Sequence, residues 1–195
     1  MQFIQRKELK SYFGIILGNR DVFPDHLVKE GRKDIIDVMN ELGYHYVILD
    51  EEDTPLGAVE TYSDAKKCAE LFKKNSDKIL GIILCLCNFG DEKAVANTLK
   101  LADLNVPVLI QASSDKIDKM DLPNRRDAFC GKISVTSVLY QYGIPFTLTK
   151  YHTCPIKSEI FKEDLKRFEK ICRVVRKLRK TRLGQIGTRP NAFET

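Results

Sequence analysis

Between Tyr12 and Gly187, apolar runs of strand length alternate with stretches that have the period of a one-sided helix, and nothing else in the sequence restricts the fold as much. Tyr12 to Gly18 is the first apolar run. Leu27, Gly31, Ile35, Val38, Met39 and Leu42 follow at three- and four-residue spacing, closed by Gly43 as a positive-φ terminator. Tyr46–Leu49 reads as a second strand. Ser63 is placed to cap a helix carrying Ala65, Cys68, Ala69 and Phe72. Ile79 to Cys87 is apolar on both faces, as a central strand covered by helices on each side must be. Asp91 caps a stripe of Ala94, Val95, Thr98, Leu99 and Ala102, and Val106–Ile110 is the fourth strand. Ser113 to Asp127 is the longest loop. Ile133, Val138, Leu139 and Tyr142 mark a helix ended by Gly143, and Phe146–Leu148 is a short fifth strand. Ser158 opens the longest helix, with Phe161, Leu165, Phe168, Cys172 and Val175 on one face, and Leu183–Gly187 reads as a sixth strand.

Five βα units and a further strand, joined by short links, predict a parallel sheet with helices on both faces. Right-handed crossovers leave few topologies, the simplest being a flavodoxin-like, Rossmann-like, doubly wound three-layer α/β/α sandwich. The 195 residues suit a single α/β domain over 1–195, and no linker or internal repeat divides them. After the sixth strand only Thr188 to Thr195 remain, where a doubly wound unit normally returns a helix. The expectation is that the chain is the amino-terminal domain of a longer protein, with residues 187–195 starting the inter-domain connection.

Several function classes are disfavoured. The longest apolar run spans nine residues, far short of the roughly 20 needed to cross a bilayer, so no membrane partner is expected. Met1 to Lys10 is polar and lacks the apolar segment of a signal peptide. With Cys68, Cys85, Cys87, Cys130, Cys154 and Cys172 read as free thiols, this points to a cytoplasmic protein. Dinucleotide binding needs Gly-x-Gly-x-x-Gly after the first strand, but Arg-Asp-Val-Phe-Pro stands there, and no phosphate-binding Gly-Lys-Ser/Thr loop exists. His26, His45 and His152 are far apart, and Cys85 with Cys87 finds no second pair to complete a zinc site. Cys130 lies near a helix start, where the dipole lowers a thiol pKa, but no base is identifiable beside it.

In an open α/β sheet, ligands collect beyond the carboxyl ends of the strands. Arg20 follows the first strand and is placed to aim a guanidinium fork into that crevice. Asn88-Phe89 links the central strand to a helix, and an amide beside an aromatic face suits a polyhydroxy ligand. The bland alternative is that Asn88 satisfies loop backbone and Phe89 packs in the core. Gln111, Ser113, His152 and Arg189 are further residues at strand tips. The net charge of +5 is concentrated in Lys162–Arg182, which holds ten Lys/Arg against three Asp/Glu. Phe161 and Phe168 there suit the buried side of an amphipathic helix and not an aromatic platform for bases, so no nucleic-acid partner is assigned.

The segments Gly18-Asn-Arg-Asp-Val-Phe-Pro-Asp-His-Leu27, Cys87-Asn-Phe-Gly-Asp-Glu92, Arg125-Arg-Asp-Ala-Phe-Cys-Gly-Lys-Ile-Ser134, His152-Thr153 and Ile186-Gly-Thr-Arg-Pro-Asn-Ala-Phe193 together resemble the amino-terminal region of L-fucose isomerase-like proteins, in the wider L-fucose/L-arabinose isomerase group. The resemblance implies an aldose–ketose sugar isomerase that works with a divalent metal, usually Mn²⁺, whose carboxylate and histidine ligands lie in later domains. It therefore implies no catalytic residue and no metal ligand in this chain, which alone is expected to be inactive. It further implies a homo-oligomer in which this domain lends side chains to the monosaccharide pocket of a neighbouring subunit. By the same resemblance Arg20, Asn88 and Phe89 are the substrate-binding residues, with Arg189 at the hand-over to the chain's own later domains. The sequence departs from L-fucose isomerases in having no tryptophan, whose indole helps form their pocket.

Two rival readings from other classes follow from the same residues. The complete βα alternation without a catalytic constellation fits a free-standing flavodoxin-like small-molecule-binding or adaptor module. A nucleic-acid binder rests on the basic helix alone.

Overall fold

The computed structural model describes residues 10–184, 186 and 187. Five parallel strands form one sheet: β1 (Tyr12–Gly18), β2 (His45–Ile48), β3 (Ile79–Leu86), β4 (Val108–Ala112) and β5 (Thr147–Leu148), in the spatial order β2-β1-β3-β4-β5. The helices between and after them are α1 (Asp25–Glu41), α2 (Tyr62–Lys74), α3 (Glu92–Ala102), α4 (Ala128–Gln141) and α5 (Glu159–Arg179). This is the doubly wound, three-layer α/β/α fold with flavodoxin-like strand order that the alternation predicts.

All eight residues of β3 are buried, because its side chains alternate between two covered faces. Ile82, Leu84 and Leu86 join a core with Phe72 of α2, Val95 of α3 and Leu139 of α4. Ile83, Cys85 and Cys87 join the opposite core with Ile35 and Met39 of α1 and with Phe161, Leu165, Phe168 and Cys172 of α5. Helices α1 and α5 thus cover one face, and α2, α3 and α4 the other. Two glycines allow close approach of the layers. A Cβ at Gly31 in α1 would lie 2.1 Å from Cys87 Sγ, and one at Gly81 in β3 would lie 2.5 Å from Cys172 Sγ.

Local chemistry moves several boundaries. Thr61, not Ser63, caps α2: its hydroxyl accepts from Asp64 N at 3.2 Å while Asp64 Oδ2 accepts from Thr61 N at 2.9 Å. A reciprocal cap needs an acceptor three residues on; Thr61 has Asp64 there, whereas Ser63 has Lys66. Strand β4 begins at Val108 and not at Val106. Pro107 has no N–H to donate, and only its carbonyl joins the sheet, accepting from Ile82 N at 2.9 Å. Helix α4 buries Ala128, Gly131, Lys132, Val135 and Leu139, leaving Ile133 exposed. Apolar residues surround most of this helix, so its periodicity does not single out the core face. Asp91 and Ser158 cap α3 and α5 as expected, and Val175 is only half-buried.

The expected sixth strand is absent among the described residues of 183–187, which pair with no strand. Leu183 is 96% and Ile186 102% exposed. Two isolated apolar side chains beside glycines bury nothing unless a sheet edge receives them, and here the edges are β2 and β5. Arg189 and the connection proposed for 187–195 lie, beyond Gly187, outside the described residues. No helix among the described residues is long and apolar enough to cross a membrane.

Candidate functional site

Strands β1 and β3 lie side by side, but α1 and α3 leave their carboxyl ends toward opposite faces. Such a reversal opens a crevice at the strand ends, where doubly wound folds bind ligands. Arg20 and the adjacent pair Asn88-Phe89, 68 and 69 positions further on, come together there.

Asn88 is fully buried and its amide is committed to the scaffold. Its Nδ2 donates to Asn19 Oδ1 at 2.7 Å, and its Oδ1 accepts from Gly90 N at 3.0 Å. The second bond closes a turn that Gly90 completes with φ 72°. Asn19 in turn donates from Nδ2 to Glu60 Oε2 at 3.0 Å. The two tips are therefore locked to each other through side-chain amides that water does not reach.

Arg20 and Phe89 are the part of the tip that remains accessible. The guanidinium carbon lies 4.6 Å from the centroid of the Phe89 ring. Phe23, from the β1–α1 loop, stacks against the same ring at 5.9 Å and 26°. Arg20 Nη2 donates to Glu92 Oε2 and lies 3.7 Å from Asp91 Oδ2. Its Nε is buried and has no hydrogen-bond partner. Beneath the Phe89 carbonyl lies Gly131 of α4, and Arg126 Nη1 donates to Cys87 O at 2.9 Å while Nη2 pairs with Glu30 at 3.3 Å. The tip is a rigid platform, with a cation lying on an aromatic face and carboxylates at its edge. A surface of this chemistry offers hydrogen bonds to hydroxyl groups and apolar contact to C–H faces.

Sequence reasoning overlooked Asn19, Phe23, Glu60, Glu92 and Gly131 as members of this site. Asn19 and Glu92 adjoin candidates already singled out, but nothing in the one-dimensional pattern shows that they pair across 69 and 72 positions. Gln111 and the backbone of His152 serve the scaffold. Gln111 is fully buried, and Nε2 donates to Cys154 O at 2.8 Å. The His152 carbonyl accepts from the buried Lys132 Nζ at 2.9 Å.

Burial pushes the Glu60 carboxyl above the usual carboxylate range; the Asn19 amide opposes this and the charge of Asp21 adds to it. A carboxyl whose pKa is raised by folding contributes stability below its unfolded value and loses that contribution as pH rises through the folded value. Glu60→Gln keeps an acceptor for Asn19 and removes the charge. The variant is expected to gain stability over the parent as pH rises from 4.5 to 7, with the two converging below the unfolded value of 4.5. Urea unfolding at a series of pH values checks this; a pH-independent difference contradicts it.

The thiols are not poised for chemistry. Burial pushes Cys87 and Cys172 up to about 12 and Cys154 up to about 11. Cys130 is exposed, and its hydrogen bond with Asp127 raises its pKa, against the lowering expected from the helix start. Among the described residues no group of three or more His, Cys, Asp or Glu side chains is placed to hold a metal ion. The divalent metal that the resemblance implies therefore has no ligand set among the described residues. Some of the cations of the basic helix α5 bond within the domain. Lys162 pairs with Glu41 at 2.7 Å and Glu159 at 2.9 Å, Arg176 Nη2 donates to Asp77 O at 2.7 Å, and Arg179 donates to the Asn105 carbonyl.

Comparison with known proteins gives one family. Residues 14–179 match the model of the fucose/sulfoquinovose isomerase N-terminal domain. No curated protein sequence matches the chain.

Proposed function

Since the chain belongs to the fucose/sulfoquinovose isomerase N-terminal domain family, we propose that it is the substrate-positioning and oligomerisation domain of a metal-dependent aldose–ketose isomerase, inactive by itself. The family match over residues 14–179 is the observation that carries this reading. What supports it at the level of residues is the Arg20–Phe89 platform at the sheet's switch point, together with the lack of a metal-ligand cluster among the described residues. Moving a carbonyl between adjacent carbons needs both oxygens polarised and a proton or hydride carried between the carbons. The described residues offer no assembled group for that work, and the reading assigns it to the later domains. The role of this domain is then to hold the sugar: Arg20 hydrogen-bonds its hydroxyls, Phe89 covers a C–H face, and Asn88 keeps the two strand tips in register. Mn²⁺, a cytoplasmic location and neighbouring subunits that share the pocket belong to the same proposal.

The test has two arms, read as conversion of aldose to ketose with Mn²⁺. The 195-residue chain alone is expected to give no turnover above buffer. In the full-length enzyme, Arg20→Ala and Phe89→Ala are each expected to raise KM about 10-fold or more, as loss of a charged hydrogen bond or an aromatic face does. Robust turnover by the short chain refutes the division of labour; unchanged KM in both variants refutes the assignment of the platform to substrate.

A further inference from the structure

A guanidinium has several donors and many rotamers, and a binding arginine is useful only when its plane is fixed beforehand. Arg20 is not fixed through its Nε. Nε is buried and donates to nothing, an arrangement that a long, flexible side chain would leave if nothing else held it. Two features hold it: the Phe89 ring beneath the guanidinium carbon at 4.6 Å, and the carboxylates at Nη2.

The two carboxylates are not equivalent. Asp91 is the N-cap of α3; its Oδ1 accepts from Ala94 N at 2.8 Å, and its Oδ2 stands off from Arg20 at 3.7 Å. That side chain is committed to starting the helix. Glu92, the first residue of α3, meets the guanidinium directly, and Arg20 is its hydrogen-bond partner in the structure. Its side chain is 22% exposed and that of Arg20 31%, so the pair is partly shielded from water and screened less than a surface pair. The ring is also in contact with Phe23, centroid to centroid 5.9 Å.

We infer that Glu92 is a positioning residue for the sugar site, acting through Arg20 by pinning its guanidinium against Phe89 so that Nη1, which no carboxylate engages, is left for the crevice. This rests on the assignment of Arg20 to substrate. Glu92 itself touches no ligand; its carboxylate sets the plane of the cation that does.

A double-mutant cycle in the full-length enzyme separates this from a structural or a direct role. Glu92→Gln keeps size and shape but weakens the hold on Arg20. It is expected to raise KM for the sugar about 10-fold while kcat stays within about twofold and the thermal midpoint is unchanged. In the Arg20→Ala background the same substitution is expected to change KM no further. If Glu92→Gln raises KM by the same factor with and without Arg20, Glu92 acts on its own and the inference is overturned. If Arg20→Ala raises KM but Glu92→Gln does not, the inference fails and the substrate assignment of Arg20 stands. If Arg20→Ala leaves KM unchanged, the assignment of Arg20 to substrate fails and takes the inference with it.

Discussion

Gly131→Ala is expected to cost about 3 kcal/mol of stability, at the upper end of the range for overpacked sites, and to disturb the proposed sugar site as well. A Cβ at Gly131 would stand 1.9 Å from the carbonyl oxygen of Phe89, 2.6 Å from its carbonyl carbon and 2.8 Å from its Cα. Those are backbone atoms, so no side-chain rotation relieves the collision. Either the first turn of α4 lifts off the sheet or the β3 tip is driven away from it. The first route disturbs Ala128 and Val135, which are 0% and 1% exposed. The second shifts Phe89 under Arg20 and strains the bond from Arg126 to the Cys87 carbonyl. Urea denaturation followed by circular dichroism measures the cost; a variant within 0.5 kcal/mol of the parent would show that the two elements separate freely. Ordinary helix propensity predicts the opposite sign, since alanine is the better helix former by roughly 1 kcal/mol, so the measurement distinguishes close packing from local preference.

Phe168→Ala is expected to be costlier, about 3–5 kcal/mol, the usual range for removing a buried aromatic ring. The ring is 1% exposed, sits 5.9 Å from the Phe13 ring, and covers Gly81, where a Cβ would lie 3.0 Å from it. Because the residue beneath is a glycine in the central strand, nothing on the sheet side can move in to fill the space. The loss also bears on the basic helix. With ten Lys/Arg between Lys162 and Arg182, α5 stays on the sheet through its apolar stripe, and the cations follow. Losing that stripe should therefore release the bonds from Arg176 and Arg179 to the loops at 77–78 and 105. A chemical-denaturation midpoint and amide exchange in α5 test both statements together. An intact α5 with less than 1 kcal/mol lost would refute the claim that the stripe anchors it.

Much of the fold was legible because alternation of strand and helix is a local property. Each apolar run and each helical stripe is written within about twenty consecutive residues, and the all-parallel order follows from how such units connect. The readings that failed depended on a partner elsewhere. Leu183–Gly187 has the look of a strand but meets no sheet edge among the described residues. Ile133 lies on an apolar helix whose core face only packing selects. Ser63 is a good cap by type, but Asp64 pairs with Thr61.

By itself, the sequence determined that this chain forms a doubly wound α/β domain, and it marked Arg20, Asn88 and Phe89 as residues at strand tips. Periodicity and turn residues act over short separations, so one dimension contains them. Only the tertiary structure decided what those residues do at the tips: Asn88 is spent locking β3 to Asn19, while Arg20 is stacked on Phe89 and held by Glu92. Hydrogen bonds and ion pairs across 69 and 72 positions are set by which strands lie side by side, and that is settled only when the whole sheet packs.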